Sequence, residues 1–235
     1  MLLLPLLLKA QTFHLLIFAD TEDFRFSSVM QSAQNYFQRD FAEKIRRNCG
    51  YNVNVVLPES FDVNTLERKI ENLRSSSSDV ILFYYCGHGY NSNNEQFPFL
   101  YFKGNSISQY SVFYLLKRRP HKTLIVMADA GNAIFDNSKG KTNIVIDDED
   151  SPINEPIVSK GEDNYLVSSS KRGQRSYFSE NLGFFTRSFK EAFEDEIRSS
   201  GCNLSWDRIF RNTTSKTERL ANENGEEQTP QWIKE

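Results

Sequence analysis

Uncharged apolar runs alternate along the chain with segments of helical periodicity. Three runs contain no charged residue: Thr12–Ala19 (TFHLLIFA), Val80–Tyr85 (VILFYY) and Thr123–Ala128 (TLIVMA). A short, uninterrupted run of this kind predicts a strand that is buried on both faces of a sheet. The patterns of three further segments also predict strands: Tyr51–Leu57, Phe97–Phe102 and Tyr165–Ser168.

The segments between these strands carry apolar residues three or four positions apart, which is typical of one helix face. Five segments show this spacing: Val29–Ile45, Leu66–Leu73, Ile107–Leu116, Leu182–Ile197 and Trp206–Leu220. Gly50 and Pro120 end two of the predicted helices, and Ser60 or Asp62 caps another. Strands that alternate with helices predict an α/β fold with a mostly parallel central sheet and helices on both faces. Gln228–Trp232 is predicted to be a tail.

Length and charge narrow the possible classes of protein. The 235 residues can form one α/β domain or two small ones. A net charge of −3 argues against a nucleic-acid partner. No run of 18 or more apolar residues is present, so the sequence predicts no membrane span. It also contains no zinc-ligand spacing, phosphate-binding loop or dinucleotide fingerprint.

The first ten residues differ from the rest. Leu2–Leu8 reads LLLPLLL and is followed by Lys9 and Ala10. A run this short matches the apolar region of a secretory signal, with Ala10 as the cleavage site, although only the α-amine supplies a preceding charge. We therefore expect residues 1–10 to be the remnant of a signal and residues 11–235 to be exported as one domain. The alternative is an apolar leading strand in a cytoplasmic protein.

A long polar segment separates the last two predicted strands of the sheet. Asn137–Asp163 contains the acidic run Asp147–Asp150, two prolines and several lysines. Loops of that length are usually functional or disordered, so 137–163 is predicted to be a long mobile loop.

The chain has three cysteines, too few for a framework of disulfides. Cys86 lies inside a predicted central strand, where it is expected to be a small buried apolar residue. Cys49 and Cys202 could pair in an exported protein, but the sequence alone does not establish that bond.

Two of the buried strands end in polar, glycine-containing turns. One turn is Gly87-His88-Gly89, and the other is Asp129-Ala130-Gly131-Asn132. In open α/β sheets, ligands bind outside the carboxyl ends of the strands. A histidine placed there can act as a general base for a nucleophile on the neighbouring turn, although a single histidine is more often structural.

Three stretches together resemble the caspase–metacaspase family of cysteine endopeptidases. They are ILFYYCGHG, LIVMADAGN and LVSSSKRGQRSYFSENLGFFTRSFKEAF, and they occur in the order typical of that family. The later TPQW is typical of its prokaryotic members, so the resemblance covers about residues 12–232. It implies a caspase-like three-layer sandwich.

The resemblance also implies roles for particular residues. His88 matches the catalytic histidine, and Gly131 stands at the position of the nucleophilic cysteine. Asp129 matches the acidic residue with which metacaspase-like members bind a basic side chain, and Cys86 is expected to line that pocket. Calcium is implied for some members, but no EF-hand pattern is present, so no cofactor or metal site is predicted.

A further pocket carboxylate, usual in the family, is missing, because no acidic residue occurs between Phe24 and Gln38. Asp20 and Asp23 are its nearest substitutes. We therefore expect Asp20 to join Asp129 in binding the basic residue of a peptide or protein. The oligomeric state is left open.

Glycine at position 131 has no side chain, so it can form neither a thiolate nor an acyl-enzyme. Ala133 also replaces the serine that commonly follows Asn132 in the family. The sequence thus predicts an inactive pseudopeptidase that binds peptide or protein. The alternative is an active cysteine endopeptidase that cuts after Arg or Lys and has cysteine at 131 in the unaltered gene. A lesser alternative makes Cys86 the nucleophile.

Overall fold

The computed structural model describes residues 11–92, 95–134, 163–179 and 181–235. The predicted signal remnant at 1–10 lies outside the described residues. So does the predicted mobile loop, except for Asp163, which begins a strand. Export, the domain limits and the mobility of the loop therefore stay predictions.

Eleven strands and six α-helices are found in the described residues. The strands are β1 (Thr12–Ala19), β2 (Asn52–Val56), β3 (Val80–Cys86), β4 (Gly89–Tyr90), β5 (Phe99–Phe102), β6 (Asn105–Ser108), β7 (Thr123–Asp129), β8 (Asp163–Ser168), β9 (Phe178–Ser179), β10 (Leu182–Gly183) and β11 (Gln231–Lys234). The helices are α1 (Ser27–Asn35), α2 (Ala42–Cys49), α3 (Val63–Glu71), α4 (Gln109–Lys117), α5 (Phe184–Ser200) and α6 (Trp206–Glu223). A π-helical segment, Tyr36–Phe41, joins α1 to α2.

Six of the strands form the central sheet, in the order β11-β8-β7-β3-β1-β2. Five of them run parallel, and only the edge strand β11 is antiparallel to its neighbour. The three apolar runs form β1, β3 and β7, and every residue of β3 and β7 is buried. The mostly parallel sheet predicted from those runs is confirmed.

Two hydrophobic cores cover the two faces of this sheet. One is formed with α1, the π-helical segment, α2, α5 and α6, and the other with α3, α4 and the strands β5 and β6. Successive side chains of a strand point to opposite faces, so β3 supplies both cores. Its members are Val80, Leu82, Tyr84 and Cys86 on one side, and Ile81, Phe83 and Tyr85 on the other. The predicted three-layer sandwich is confirmed.

Several predicted boundaries were wrong where strands are very short. Ile107 belongs to β6, and α4 begins after Ser108, whose hydroxyl accepts from the Ser111 N–H at 3.0 Å. Leu182 belongs to β10, so α5 begins two residues later than expected. The predicted tail contributes to β11. Strands of two to four residues are too short for the period of two to be recognised.

The register of the sheet brings three chain segments to one edge. Cys86 pairs with Ala19 of β1 on one side and with Asp129 of β7 on the other. The residues that follow these three positions therefore leave the sheet side by side. We call this side the carboxyl edge.

Candidate active site

His88 is held at the carboxyl edge by a carboxylate from the loop after β1. Its Nε2 lies 2.8 Å from Oδ2 of Asp23, and its ring packs against Phe26 with 5.9 Å between ring centroids. Within the described part of the chain, no hydrogen bond is found for Nδ1. The side chain of His88 is about one-third exposed, which makes it accessible from solvent.

Asp23 is itself fixed by the local backbone. Its Oδ1 accepts from the N–H groups of Arg25 and Phe26, both at 2.8 Å. Burial acts to raise the pKa of Asp23, but the hydrogen bonds from His88 and from these N–H groups outweigh it. The pKa of Asp23 therefore lies below its usual value, and Asp23 is an ionised partner for the imidazole at neutral pH.

The turn that carries His88 is closely packed at the two glycines that flank it. A Cβ on Gly87 would lie 2.7 Å from the Tyr85 hydroxyl oxygen, and one on Gly89 would lie 2.5 Å from the backbone oxygen of Gly131. The Tyr85 hydroxyl in turn bonds to the backbone oxygen of His88 at 2.7 Å. The histidine turn and the turn after β7 therefore touch through their backbones.

Gly131 has room for a side chain, unlike these two glycines. A Cβ added there would lie 3.3 Å from the backbone oxygen of Gly89 and 3.9 Å from the backbone nitrogen of Ser176. Its φ lies outside the left-handed region that only glycine adopts freely. The Cβ of a residue at this position would thus require a shift of only a few tenths of an ångström in the Gly89 backbone.

Two buried asparagines fix the turn after β7. The Asn91 side chain donates to Oδ1 of Asn132. The Asn132 amide donates to the backbone oxygens of Gln96 at 3.1 Å and Ser170 at 3.2 Å, and its backbone N–H donates to the Gln174 oxygen at 2.9 Å. Gly131 is therefore held in place by the residue that follows it.

Asp129 ends β7 and is only 7% exposed. Its carboxylate accepts from the hydroxyls of Ser176 at 2.8 Å and Thr186 at 2.5 Å. A Cβ on Gly183 would collide with the Asp129 carboxylate, so the absence of a side chain at Gly183 leaves room for it. Burial raises the pKa of Asp129 although the hydroxyl donors oppose this. Among the described residues, no lysine or arginine forms an ion pair with it.

Asp20 follows β1 directly, and its N–H donates to the Cys86 oxygen at 2.9 Å. Burial raises the pKa of the Asp20 carboxyl, and the negative charge of Asp23 raises it further. The Cys86 thiol is buried under the same edge. Burial, and after it the charge of Asp129, raise the pKa of that thiol well above its usual value. Cys86 is therefore protonated and unreactive at neutral pH.

Aromatic side chains lie beside His88 at the carboxyl edge. Phe26 packs against His88 and also against Phe178, with 5.1 Å between the latter ring centroids. Phe178 is 46% exposed, and the nearby Phe24 is 88% exposed. Among the residues that the structure describes, no group of three or more His, Cys, Asp or Glu could hold a metal ion. The acidic run 147–150 lies outside them.

All five residues singled out from the sequence lie at the carboxyl edge: Asp20, Cys86, His88, Asp129 and Gly131. Their chemical roles stay predictions. Sequence reasoning missed the bond between Asp23 and His88, since it considered Asp23 only as a substitute pocket carboxylate. It also missed Ser176 and Thr186, because a serine and a threonine 47 and 57 positions after Asp129 carry no signal of their own.

Solved structures with a similar fold exist among known proteins. No curated protein matches the chain. The crystal structure of protein GSU0716 from Geobacter sulfurreducens is similar in fold, with a TM-score of 0.56 and 13% sequence identity over 95% of this chain and 93% of that one. At that identity the likeness concerns the fold alone.

The family match covers most of the chain. The caspase domain model, of the C14 peptidases, matches residues 38–235. The match begins inside the π-helical segment, so Asp20 and Asp23 precede it. None of the helices described here is long and apolar enough to cross a membrane. Because the matched residues make up far more than half of the chain, the chain belongs to the caspase domain family of cysteine peptidases.

Proposed function

We propose that this chain is a catalytically inactive caspase-domain protein that binds, without cutting, a peptide or protein segment carrying an arginine or lysine. The observation that carries the proposal is Gly131, which stands beside the His88 turn at the position that the resemblance assigns to the nucleophilic cysteine. Without a side chain there, no thioester can form. The paired His88 and Asp23 support a cleft that has kept its shape.

The carboxylates at the edge favour a basic ligand. Within the described residues, neither Asp20 nor Asp129 forms an ion pair with a lysine or arginine. The charge of Asp20 is also opposed by that of Asp23. A guanidinium entering the cleft would offset this repulsion, and it can bind a carboxylate through two parallel hydrogen bonds.

Cys86 does not offer a substitute nucleophile. Its thiol is buried, and burial raises its pKa well above the usual value. Only the thiolate attacks a carbonyl carbon. The buried, protonated Cys86 thiol therefore supports the proposal that this chain has no peptidase activity.

The space at Gly131 favours a second candidate function. With cysteine at 131 in the unaltered gene, Nδ1 of His88 would take the thiol proton, and the thiolate would attack the carbonyl carbon of an Arg or Lys residue. His88 would return the proton to the departing amine, and water would then hydrolyse the thioester, which releases the peptide acid and restores the thiol. Asp23 would hold the ring in position throughout.

Binding can be tested with two labelled peptides that differ only by arginine or citrulline, which has the same shape without the charge. We expect fluorescence anisotropy to show at least about tenfold tighter binding of the arginine peptide, because a charged hydrogen-bonding group is lost in citrulline. Asp20→Asn should reduce the preference, whereas the neighbouring Glu22→Gln should not. Equal affinities for the two peptides would contradict the proposal, and mass spectrometry of the incubated peptide reports any cleavage separately.

A further inference from the structure

Two helix ends meet on the surface away from the carboxyl edge, and each carries a cysteine. Cys49 is the last residue of α2, and Gly50 ends that helix with a φ of 67°. On the other side, α5 ends before Gly201, whose φ is 57°, and Cys202 follows. Both turns are therefore set by glycines that place the cysteines at the ends of their helices.

The side chain of Cys202 reaches the end of α2, beside Cys49. The Cys202 thiol donates to the backbone oxygen of Asn48, the residue immediately before Cys49. The Cys202 thiol is also near enough to that of Cys49 to raise the pKa of the latter. Both are free thiols in this structure. Neither cysteine takes part in the proposed binding site.

We propose that Cys49 and Cys202 are a site of covalent modification, at which a low-molecular-weight disulfide such as oxidised glutathione is reduced and an intramolecular disulfide is formed. This proposal does not depend on the proposed function. The third cysteine, Cys86, is buried in the sheet and takes no part in this modification.

The environments of the two thiols set the order of the steps. Cys202 is exposed, so a soluble disulfide can reach it, whereas Cys49 is half-buried. Burial, and next to it the Cys202 thiol, raise the pKa of Cys49 to about 12. The first attack therefore belongs to Cys202, and Cys49 acts second.

Each step balances. The Cys202 thiolate attacks one sulfur of oxidised glutathione, forming a mixed disulfide and releasing one glutathione thiolate. Cys49 then loses its proton, and its thiolate attacks the Cys202 sulfur, which expels the second glutathione. Two protein thiols are oxidised to one disulfide, one glutathione disulfide is reduced to two thiols, and the protons pass to the departing thiolates.

The bond would join the end of α2 to the connection between α5 and α6. It closes a loop of about 150 residues, and cross-links over long loops reduce the entropy of the unfolded chain strongly. For a protein of this size we expect the oxidised form to melt about 5–15 °C higher than the reduced form.

The experiment treats the reduced, folded protein with oxidised glutathione and measures the intact mass after unreacted thiols are alkylated. We expect two of the three cysteines to be protected from alkylation, with Cys86 alkylated only after unfolding. Trypsin should then release residues 48–68 linked to residues 199–208, a link that a reductant removes.

Two variants test the order of attack. Cys49→Ser should stop at one glutathione on Cys202, whereas Cys202→Ser should react far more slowly with oxidised glutathione. Separate glutathionylation of both cysteines in the unaltered chain, a dimer linked through Cys202, or no protection at all would overturn the proposal. An oxidised form that melts no higher than the reduced form would overturn the structural consequence drawn from it.

Discussion

Nε2 of His88 lies 2.8 Å from Oδ2 of Asp23, although the two residues follow different strands of the sheet. His88 comes after β3 and Asp23 after β1, and these strands are neighbours in the sheet. The bond fixes the imidazole through one of its two nitrogens. An arrangement suited to a general base is thus present in a chain whose Gly131 supplies no nucleophile.

Asp23→Asn should impair catalysis in a chain made active by Gly131→Cys. The asparagine keeps the size of the side chain but loses the negative charge that holds the imidazole and stabilises its protonated form. Misplacing a catalytic group by about 1 Å can cost about 10²-fold in rate, so we expect a fall of that order in kcat with little change in KM. Steady-state hydrolysis of an arginine reporter measures both constants.

Glu22→Gln is the matched control for this prediction. Glu22 lies one residue away, loses the same charge on substitution and pairs with Lys103 rather than with the histidine. Its kcat should match that of Gly131→Cys alone. If the Asp23 and Glu22 variants lose activity equally, the effect comes from local charge and not from the bond to His88.

Gly183→Ala should disturb the Asp129 carboxylate. The backbone of Gly183, with φ −59° and ψ 147°, is accessible to alanine, so the conflict is steric: the new Cβ would collide with Oδ2. Overpacking of this kind costs about 1–3 kcal/mol. Urea unfolding should show that loss, and the arginine peptide should bind more weakly. Unchanged stability and binding would mean that the close approach is not maintained in solution.

Gln228→Ala should loosen the loop that supports Asp129. The buried Gln228 amide donates to the Ser169 oxygen at 2.9 Å, and its oxygen accepts from the Tyr177 N–H at 2.9 Å. Leaving the buried Ser169 oxygen without a partner costs about 1–3 kcal/mol, and losing the partner of the half-buried Tyr177 N–H adds to this. We expect a lower free energy of unfolding in urea, whereas Gln31→Ala on the exposed face of α1 should change it little. Equal effects of the two substitutions would contradict this reading.

The pH dependence of stability should include a contribution from His14, which lies near the amino end of β1, away from the carboxyl edge. Burial lowers the pKa of His14, although its contact with Asp79, 3.4 Å between Nε2 and Oδ2, acts to raise it. The unfolded chain therefore binds a proton more readily than the folded one. The contribution of His14 to stability is complete above about pH 6.5 and is lost as the pH falls through its folded-state value.

Urea unfolding at pH 7.5 and pH 5.5 tests this sign. The unaltered protein should lose more stability between these values than His14→Gln, which cannot titrate. The comparison removes the contribution of carboxyls such as Asp20, whose raised pKa gives the opposite slope. A steeper loss in His14→Gln would show that the sign is wrong.

The architecture was open to prediction because its central strands are buried on both faces. An uninterrupted apolar run such as Val80–Tyr85 predicts a strand buried on both faces, and the alternation of such runs with helical segments predicts the α/β class. The edge strand β11 was missed, since half-exposed residues after a turn give no such run. The π-helical segment was missed as well, because its apolar residues fit an ordinary helix.

The site was predictable only where residues are adjacent in sequence to a strand end. Asp129 is the last residue of β7, and His88 and Gly131 follow β3 and β7 by two positions, so predicting the strands also located these residues. The partners of these residues come from distant loops: Asp23 precedes His88 by 65 positions, and Ser176 follows Asp129 by 47. Such pairings depend on three-dimensional packing, which local periodicity does not encode.

The most direct test of the central claim compares this chain with its Gly131→Cys variant on arginine- and lysine-terminated peptide reporters. We expect no hydrolysis by the unaltered chain and thiol-dependent hydrolysis by the variant, abolished again when His88→Ala is added. Circular dichroism and urea unfolding confirm that all three proteins are folded. Hydrolysis by the unaltered chain that an alkylating reagent stops would contradict the account, and a folded Gly131→Cys variant that fails to cut would contradict the claim that the cleft is intact.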